Sequence, residues 1–194
     1  MSDRYTRLRT SAWMDDDVME LPMIGKALWA YLIGGPQSNV AGFYKLPIKT
    51  LRTDLCGSHK DGTMLDGEDE QFNKVILPLL YGQDKLWKYD RKTSQVLIPK
   101  YLKHNKVGGP KQLTALNSQI EPLTKCGLHV CFLANVVRYA GEDALKYFNK
   151  EILVYVHEKT REQADPQEVV LYNRIHNMLY STSQYSTVQY NTIQ

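Results

Sequence analysis

The sequence predicts a mainly α-helical protein with a small β-hairpin, an α+β fold. Apolar residues recur at helical spacing most clearly in the segment 68–80, whose apolar face is Phe72, Val75, Ile76, Leu79 and Leu80. Two strand-like runs, 86–90 and 95–99, flank a polar turn, which is the pattern of a β-hairpin. After this hairpin only helical patterns remain, at roughly 111–120, 127–139, 142–160 and 166–180.

The composition is typical of a protein of the cytoplasm. Of the 194 residues, 43% are hydrophobic, which is enough for at least one core, and the formal net charge is +3. The three cysteines show no disulfide-like arrangement and therefore indicate a reducing compartment. No apolar stretch resembles a signal peptide or reaches the roughly 20 residues of a membrane span. We therefore expect a cytoplasmic protein that contacts no membrane.

The first half of the chain predicts a fixed order of elements. The aspartates at 15–17 suit a helix start, where the helix dipole favours negative charge, better than a metal site. A second helix ends at Gly34, the run 42–46 is strand-like, and Pro47 begins a third helix. In the next helical segment, Pro78 is expected to end or kink the helix near Leu77.

The predicted order of helix, helix, strand, helix, helix and hairpin is that of a winged helix-turn-helix. In this fold the last helix enters the major groove, and the hairpin, or wing, contacts the DNA backbone or minor groove. We predict a winged-helix domain over residues 1–106. A helical region over 107–179 would serve self-association, as a homo-oligomer, or contact with a partner. Residues 180–194 would form a disordered tail.

Basic and amide side chains predict an interface for double-stranded DNA on the first domain. The exposed face of the 68–80 helix offers donors and acceptors for base edges, and Asp90 is the only acid between 85 and 111, a segment rich in lysine. The expected DNA contacts are Arg4, Arg7, Arg9, Lys49, Arg52, Gln71, Asn73, Lys74, Lys88, Arg91, Lys92, Lys100, Lys103, Lys106 and Lys111. A solvated basic face without a DNA partner is the alternative interpretation.

Spaced short matches carry a resemblance to a known family. They are Arg9 with Trp13, and the runs 25–32 (GKALWAYL), 42–47 (GFYKLP), 86–90 (LWKYD) and 98–105 (IPKYLKHN). Over roughly residues 4–125 the sequence resembles the N-terminal winged-helix domain of phage replisome organisers, which are related in style to DnaD-like primosome proteins. The resemblance implies a replication initiator that binds an origin in a bacterial host cell and recruits a helicase or helicase loader.

The last fifteen residues form a pentapeptide repeat, YSTSQ, YSTVQ, YNTIQ. A disordered polar tail is one interpretation, and tyrosines that stack on single-stranded bases are another. A third interpretation concerns the gene, because a repeat of five residues indicates repetitive coding DNA. The resemblance implies an initiator of a kind that can bind direct repeats inside its own gene. We therefore hypothesise that the DNA encoding 180–194 is itself the binding site.

No catalytic motif, cofactor or metal site is expected. Gly25-Lys26 lacks the glycine-rich loop of a phosphate-binding motif, and neither a zinc-protease motif nor a nucleophile elbow occurs. Two C-x-x-H pairs, Cys56 with His59 and Cys126 with His129, fit no common zinc-finger spacing, so buried apolar cysteine is the preferred interpretation.

Two alternatives to a replication initiator stay open at this point. A winged-helix transcriptional repressor would use the same DNA-binding surface. A protein-interaction module, either an inhibitor or an adaptor, would use the fold without DNA, and its partner would then have to match the basic segment.

Overall fold

The computed structural model describes residues 13–56, 68–82, 85–161 and 166–180. Within these residues it is mainly helical with a small three-stranded antiparallel sheet, an α+β arrangement. The chain divides into two compact units. Unit 1 contains the residues up to Asn105 together with Pro122–Thr124, and unit 2 contains Lys106–Glu121 and the residues from Lys125 onward. None of the helices in the described ranges is long and apolar enough to cross a membrane.

Unit 1 alternates helices with short strands. Its elements are α1 (Asp16–Met19), α2 (Met23–Gly34), β1 (Phe43–Lys45), α3 (Ile48–Cys56), α4 (residues 68–82), β2 (Lys88–Asp90), β3 (Gln95–Leu97) and α5 (Tyr101–His104). Asp15 caps α1, since its carboxylate accepts a hydrogen bond from the amide of Asp17 at 3.2 Å.

Strand β3 lies at the centre of the sheet, in the order β1-β3-β2. Leu97 pairs with Phe43 on one side and with Lys88 on the other. The sequence predicted both the strand near 43 and the hairpin, but not the pairing that joins them into one sheet. The indole of Trp87 lies under this sheet, fully buried, and donates to the carbonyl of Leu80 at 3.0 Å. That hydrogen bond connects the start of the hairpin to α4.

A left-handed glycine begins β1. Gly42 has a φ of +62°, and a Cβ at this position would lie 2.4 Å from Cγ of Tyr101. Only glycine therefore lets the backbone pass beneath the Tyr101 ring. The carbonyl of Gly42 also accepts from the amide of Ile98 at 2.8 Å, which extends the pairing of β1 with β3 by one step.

Helix α4 differs from the prediction in continuing past Pro78 and in exposing Val75. Pro78 does not end the helix, which consists of Glu68–Gln71, a π-helical turn Phe72–Ile76, and Leu77–Gly82. Leu77 donates to the carbonyl of Phe72, and this wider turn moves the preceding carbonyls away from the proline ring that would otherwise clash with them. The π turn also rotates the helix, so that Val75 is exposed, whereas Phe72, Ile76 and Leu80 are buried at four-residue spacing.

A charge cluster fixes the N-terminal end of unit 1 to the segment after the hairpin. The ammonium of Lys100 lies 2.8 Å from Asp15 and 2.7 Å from Asp17. The hydrogen bond from Lys100, together with the nearby ammonium of Lys85, holds the pKa of Asp17 below its usual range. Partial burial opposes the charge on Lys100, but its two aspartate partners raise its pKa overall. Lys100, which the sequence predicted as a DNA contact, is therefore bound by two aspartates of the same unit.

The regular elements of unit 2 are all helices in the part of the chain that the structure describes. They are α6 (Pro110–Ile120), α7 (Leu128–Ala140), a 3₁₀ helix (Glu142–Tyr147), α8 (Lys150–Thr160) and α9 (Pro166–Tyr180). The single helix predicted over 142–160 is wrong, because Phe148 is extended and Asn149 caps a new helix by accepting from the amide of Glu151 at 2.8 Å. The repeat beyond Tyr180 lies outside the described residues.

Helices α8 and α9 pack through an apolar contact edged by aromatic rings. Val156 on α8 and Leu171 and Ile175 on α9 are almost fully buried. At the edge of this contact the imidazole of His157 stacks on the ring of Tyr172, with 4.4 Å between centroids, and its Nε2 lies 3.2 Å from Nδ1 of His176. Offset stacking of this kind adds to the area that the apolar residues bury.

We predict that replacing Gly42 by alanine lowers the free energy of unfolding of unit 1 by about 2–4 kcal/mol, because the new Cβ adds left-handed strain to a clash with Tyr101. All three tryptophans, at 13, 29 and 87, belong to unit 1, so urea unfolding followed by tryptophan fluorescence reports this unit. The control is Gly82→Ala, since a Cβ there meets nothing within 4 Å. Equal unfolding midpoints for the two variants would contradict the prediction.

Candidate nucleic-acid interface

The exposed sides of α3 and α4 are joined by Arg52. Its guanidinium donates to Oδ1 of Asn73 at 3.1 Å and lies 5.0 Å from the centroid of the Phe72 ring. Arg52, which the sequence predicted as a DNA contact, is therefore half-buried between the two helices. Lys49, one turn earlier on α3, is exposed. Arg52 thus connects Lys49 and Asn73 into one surface.

The predicted base-reading residues Gln71, Asn73 and Lys74 are all exposed on α4. The ammonium of Lys74 pairs with the carboxylate of Glu70 one turn earlier, and both side chains are largely exposed. An exposed pair of this kind contributes little stability, so Lys74 exchanges Glu70 for another anion at small cost. Asn73 differs from its neighbours because Arg52 occupies its carbonyl oxygen and leaves the amide NH₂ directed elsewhere.

The β2–β3 hairpin, which we call the wing, is held against the C-terminal end of α4 by a stack of side chains. The guanidinium of the exposed Arg91 lies 3.7 Å from the centroid of the Tyr81 ring, and the rings of Tyr81 and Tyr89 are 5.8 Å apart. The hydroxyl of Tyr89 donates to the carbonyl of Leu46 at 2.8 Å. Tyr81 was not identified from the sequence, where it is one of several tyrosines without a distinguishing pattern.

The turn of the wing has a defined shape. The carboxylate of Asp90 accepts from the amide of Lys92 at 3.1 Å and from the hydroxyl of Thr93 at 2.6 Å. Ser94 completes the reversal with a φ of +53°. Asp90, the one acid in this basic segment, is therefore engaged by the turn itself. The side chain of Lys92 is exposed, and Lys88 on β2 is half-exposed.

The Arg52–Asn73 and Arg91–Tyr81 contacts join α3 to α4 and the wing to α4, and eight of the predicted residues belong to these three elements. We call these residues together the α3–α4–wing face, which consists of Lys49, Arg52, Gln71, Asn73, Lys74, Lys88, Arg91 and Lys92. Its cations suit phosphate oxygens, and its amides suit base edges. The described residues contain no cluster of three or more metal-ligating side chains.

The remaining predicted residues lie elsewhere. Lys100 binds Asp15 and Asp17 and is therefore not included in the candidate site. Asp15 is 85 positions away in the sequence, so no local pattern predicts this pairing. Lys103 is exposed on α5, whereas Lys106 and Lys111 are exposed in unit 2. Arg4, Arg7 and Arg9 lie outside the described residues.

The second C-x-x-H motif forms a buried local cluster at the start of α7. Nδ1 of His129 accepts a hydrogen bond from the amide of Cys126 at 3.3 Å and lies 3.8 Å from the thiol of the same residue. Burial lowers the pKa of His129 to about 4, an effect that the Cys126 carbonyl, 3.3 Å from Nδ1, opposes and that Lys125 reinforces. His129 is thus neutral at pH 7 and packed in the core. His59, its counterpart in the first motif, lies outside the described residues.

The neutral state of His129 predicts a pH-dependent stability for unit 2. Because its folded pKa is depressed, the unfolded chain binds the proton more readily, so stability is complete above about pH 6.5 and falls as the pH drops towards 4. This residue alone is expected to cost about 2 kcal/mol at pH 5.

His129→Asn keeps an acceptor for the amide of Cys126 and removes the titration, so urea unfolding followed by circular dichroism is expected to show a shallower loss between pH 7.5 and 5. Parallel losses in the wild type and the variant would contradict the assignment.

Comparisons with protein-family models, with curated proteins and with solved structures found no match to this chain. The resemblance to phage replisome organisers therefore stays a prediction from the short runs of sequence that suggest it. The function is inferred from the geometry of the α3–α4–wing face and from the order of the elements that build it.

Proposed function

We propose that unit 1 is a winged helix-turn-helix domain that binds double-stranded DNA, and that the protein is a replication initiator of the phage replisome-organiser type. The observation that carries the proposal is the stack of Arg91 on Tyr81, because it sets a basic hairpin beside the exposed helix α4. The supporting observation is the order of elements, which is two helices, strand β1, two further helices and the β2–β3 hairpin. Strand β3 of this hairpin also pairs with β1.

In this proposal α4 enters the major groove and the wing contacts phosphates. Arg91 and Lys92 are exposed at the turn of the hairpin and supply the sequence-independent part of the affinity. Lys49 and Lys74 contact the backbone on the other side of α4. Lys74 leaves Glu70 to do so, a small change because the pair is solvent-exposed.

Asn73 is the proposed reader of base identity, and Arg52 is its positioning residue. Asparagine recognises adenine by using both its amide oxygen and its NH₂ group. Here Arg52 already donates to the Asn73 oxygen at 3.1 Å, so the NH₂ donors are the part that faces the groove. Donors of this kind match guanine N7 and O6 or thymine O4, whereas adenine presents a single acceptor, N7, beside its N6 donor. We therefore expect a preference for guanine or thymine at the position that Asn73 contacts.

The initiator assignment adds a repeated site and a partner to DNA binding. The proposed site is the repetitive coding DNA for residues 180–194, and the proposed partner is a helicase or helicase loader. A repressor would also bind double-stranded DNA but would not bind this partner, whereas an adaptor would not bind DNA. Co-purification with the host helicase or its loader, tested on the full chain, separates the initiator from the repressor.

We predict that the purified protein binds a duplex carrying its own coding sequence for 180–194 more tightly than a scrambled duplex. The measurement is fluorescence anisotropy over a salt series. Replacing both Arg91 and Lys92 by alanine removes two phosphate contacts, so the affinity is expected to fall about tenfold or more and the slope of log K against log salt to shrink by about 2. The matched control replaces Lys146 and Lys159, two exposed lysines of unit 2, by alanine.

Three outcomes discriminate between the alternatives. Tighter binding to the native repeat supports an initiator that acts on sites in its own gene. Equal, steeply salt-dependent binding to both duplexes places the target sequence elsewhere and removes the hypothesis about the repeat. Absence of binding at low salt overturns the proposal of DNA binding and favours the protein-interaction alternative. Equal losses in the wing variant and the control overturn the assignment of Arg91 and Lys92 as phosphate contacts.

A further inference from the structure

A group of exposed apolar side chains lies at the N-terminal end of the described part of unit 1. Met14, Met19 and Met23 are 66%, 54% and 83% exposed, and Trp13 beside them is 39% exposed. We call these four side chains the methionine patch. Met14 precedes α1, Met19 is its last residue, and Met23 begins α2, so the patch spans only a few helical turns. Such a concentration of exposed apolar side chains is typical of an interaction surface.

The backbone under the methionine patch is anchored from the other side. Val18 and Leu21 are buried, and Asp15 holds Lys100 at 2.8 Å. The ring of Trp13 meets the buried ring of Trp29 edge-on, with 4.8 Å between centroids. The methionines are therefore exposed on a fixed scaffold. Their unbranched thioether side chains adapt to apolar partners of varied shape.

Acidic side chains outnumber basic ones around the methionine patch. The stretch from Trp13 to Gly25 contains four acids and no lysine or arginine, and the half-exposed Lys26 follows it. Lys100 and Lys85 lie close to two of these acids, Asp15 and Asp17, which leaves Asp16 and Glu20 as exposed carboxylates beside the methionines. The patch is thus apolar with an acidic margin, opposite in charge to the α3–α4–wing face of the same unit.

We propose that the methionine patch is a docking surface for a basic amphipathic helix of a partner protein. Apolar anchors at helical spacing would lie on the methionines, and lysines or arginines on the flanks would meet Asp16 and Glu20. An anionic membrane or a nucleic acid carries the wrong charge for this margin. A second copy is also disfavoured, since a two-fold contact would bring Asp16 and Glu20 towards their own counterparts. The docking surface does not depend on whether unit 1 binds DNA.

The test uses a fluorescein-labelled peptide of about 18 residues, five helical turns, with leucines on one face and lysines on the other. One comparison peptide has the same composition in an order without a helical apolar face, and a second has glutamate in place of lysine. Each peptide is titrated into the full-length protein in a salt series. The proposal predicts saturable binding of the basic amphipathic peptide, with at least about tenfold weaker binding of both comparison peptides.

Variants of the full chain locate the binding. M19Q with M23Q removes apolar surface without altering charge and is expected to weaken binding about tenfold. D16N with E20Q keeps the apolar surface and is expected to lower both the affinity and its salt dependence. The matched control is V169Q with V170Q, which alters two side chains on α9 that are 42% and 45% exposed. This control is expected to bind as the wild type does.

Several results would overturn the docking proposal. The apolar assignment fails if the methionine variant binds like the control, and the charge assignment fails if the acidic peptide binds as well as the basic one. The other candidate occupant is the chain's own N-terminal segment, which contains Arg4, Arg7 and Arg9. If the peptide binds only after these three arginines are replaced by glutamine, the surface belongs to that segment rather than to a partner.

Discussion

The arrangement of unit 1 depends on the two-sided pairing of β3. Because Leu97 pairs with both Phe43 and Lys88, the strand that precedes α3 and the hairpin that follows α4 belong to one sheet. Gly42 permits the close approach of the chain to Tyr101, and Trp87 and Tyr89 donate to the carbonyls of Leu80 and Leu46. The sheet is small, yet it determines which side chains of α3, α4 and the wing become neighbours.

The elements with strong local signals could be predicted from the sequence. The hairpin, the helix around Phe72 and the strand after Gly42 follow from periodicity and turn residues, and they give the α+β class. The π turn of α4 was not predictable in this way, because Pro78 indicates a break unless the preceding turn widens. The helix start at Asn149 was also missed, although an asparagine two residues before Glu151 is a recognisable cap.

The candidate site was likewise predictable from the sequence only in part. Residue type alone identified exposed cations and amides, and the structure places eight of them on the α3–α4–wing face. Long-range partners decided the rest, since Lys100 is held by aspartates at the other end of unit 1, and Arg91 depends on Tyr81. Unit 1 thus carries a basic face and an acidic methionine patch, chemistries suited to two different partners. A protein that binds DNA and recruits another protein needs such a pair of surfaces.

Hydrogen–deuterium exchange of the full chain, with and without the duplex that encodes residues 180–194, tests the DNA-binding surface most directly. We expect slower exchange in α4 and in the turn of the wing around Arg91, with little change in α1 and in α7–α9. Protection confined to unit 2, or no protection at a duplex concentration that saturates the anisotropy signal, would contradict the assignment of the α3–α4–wing face.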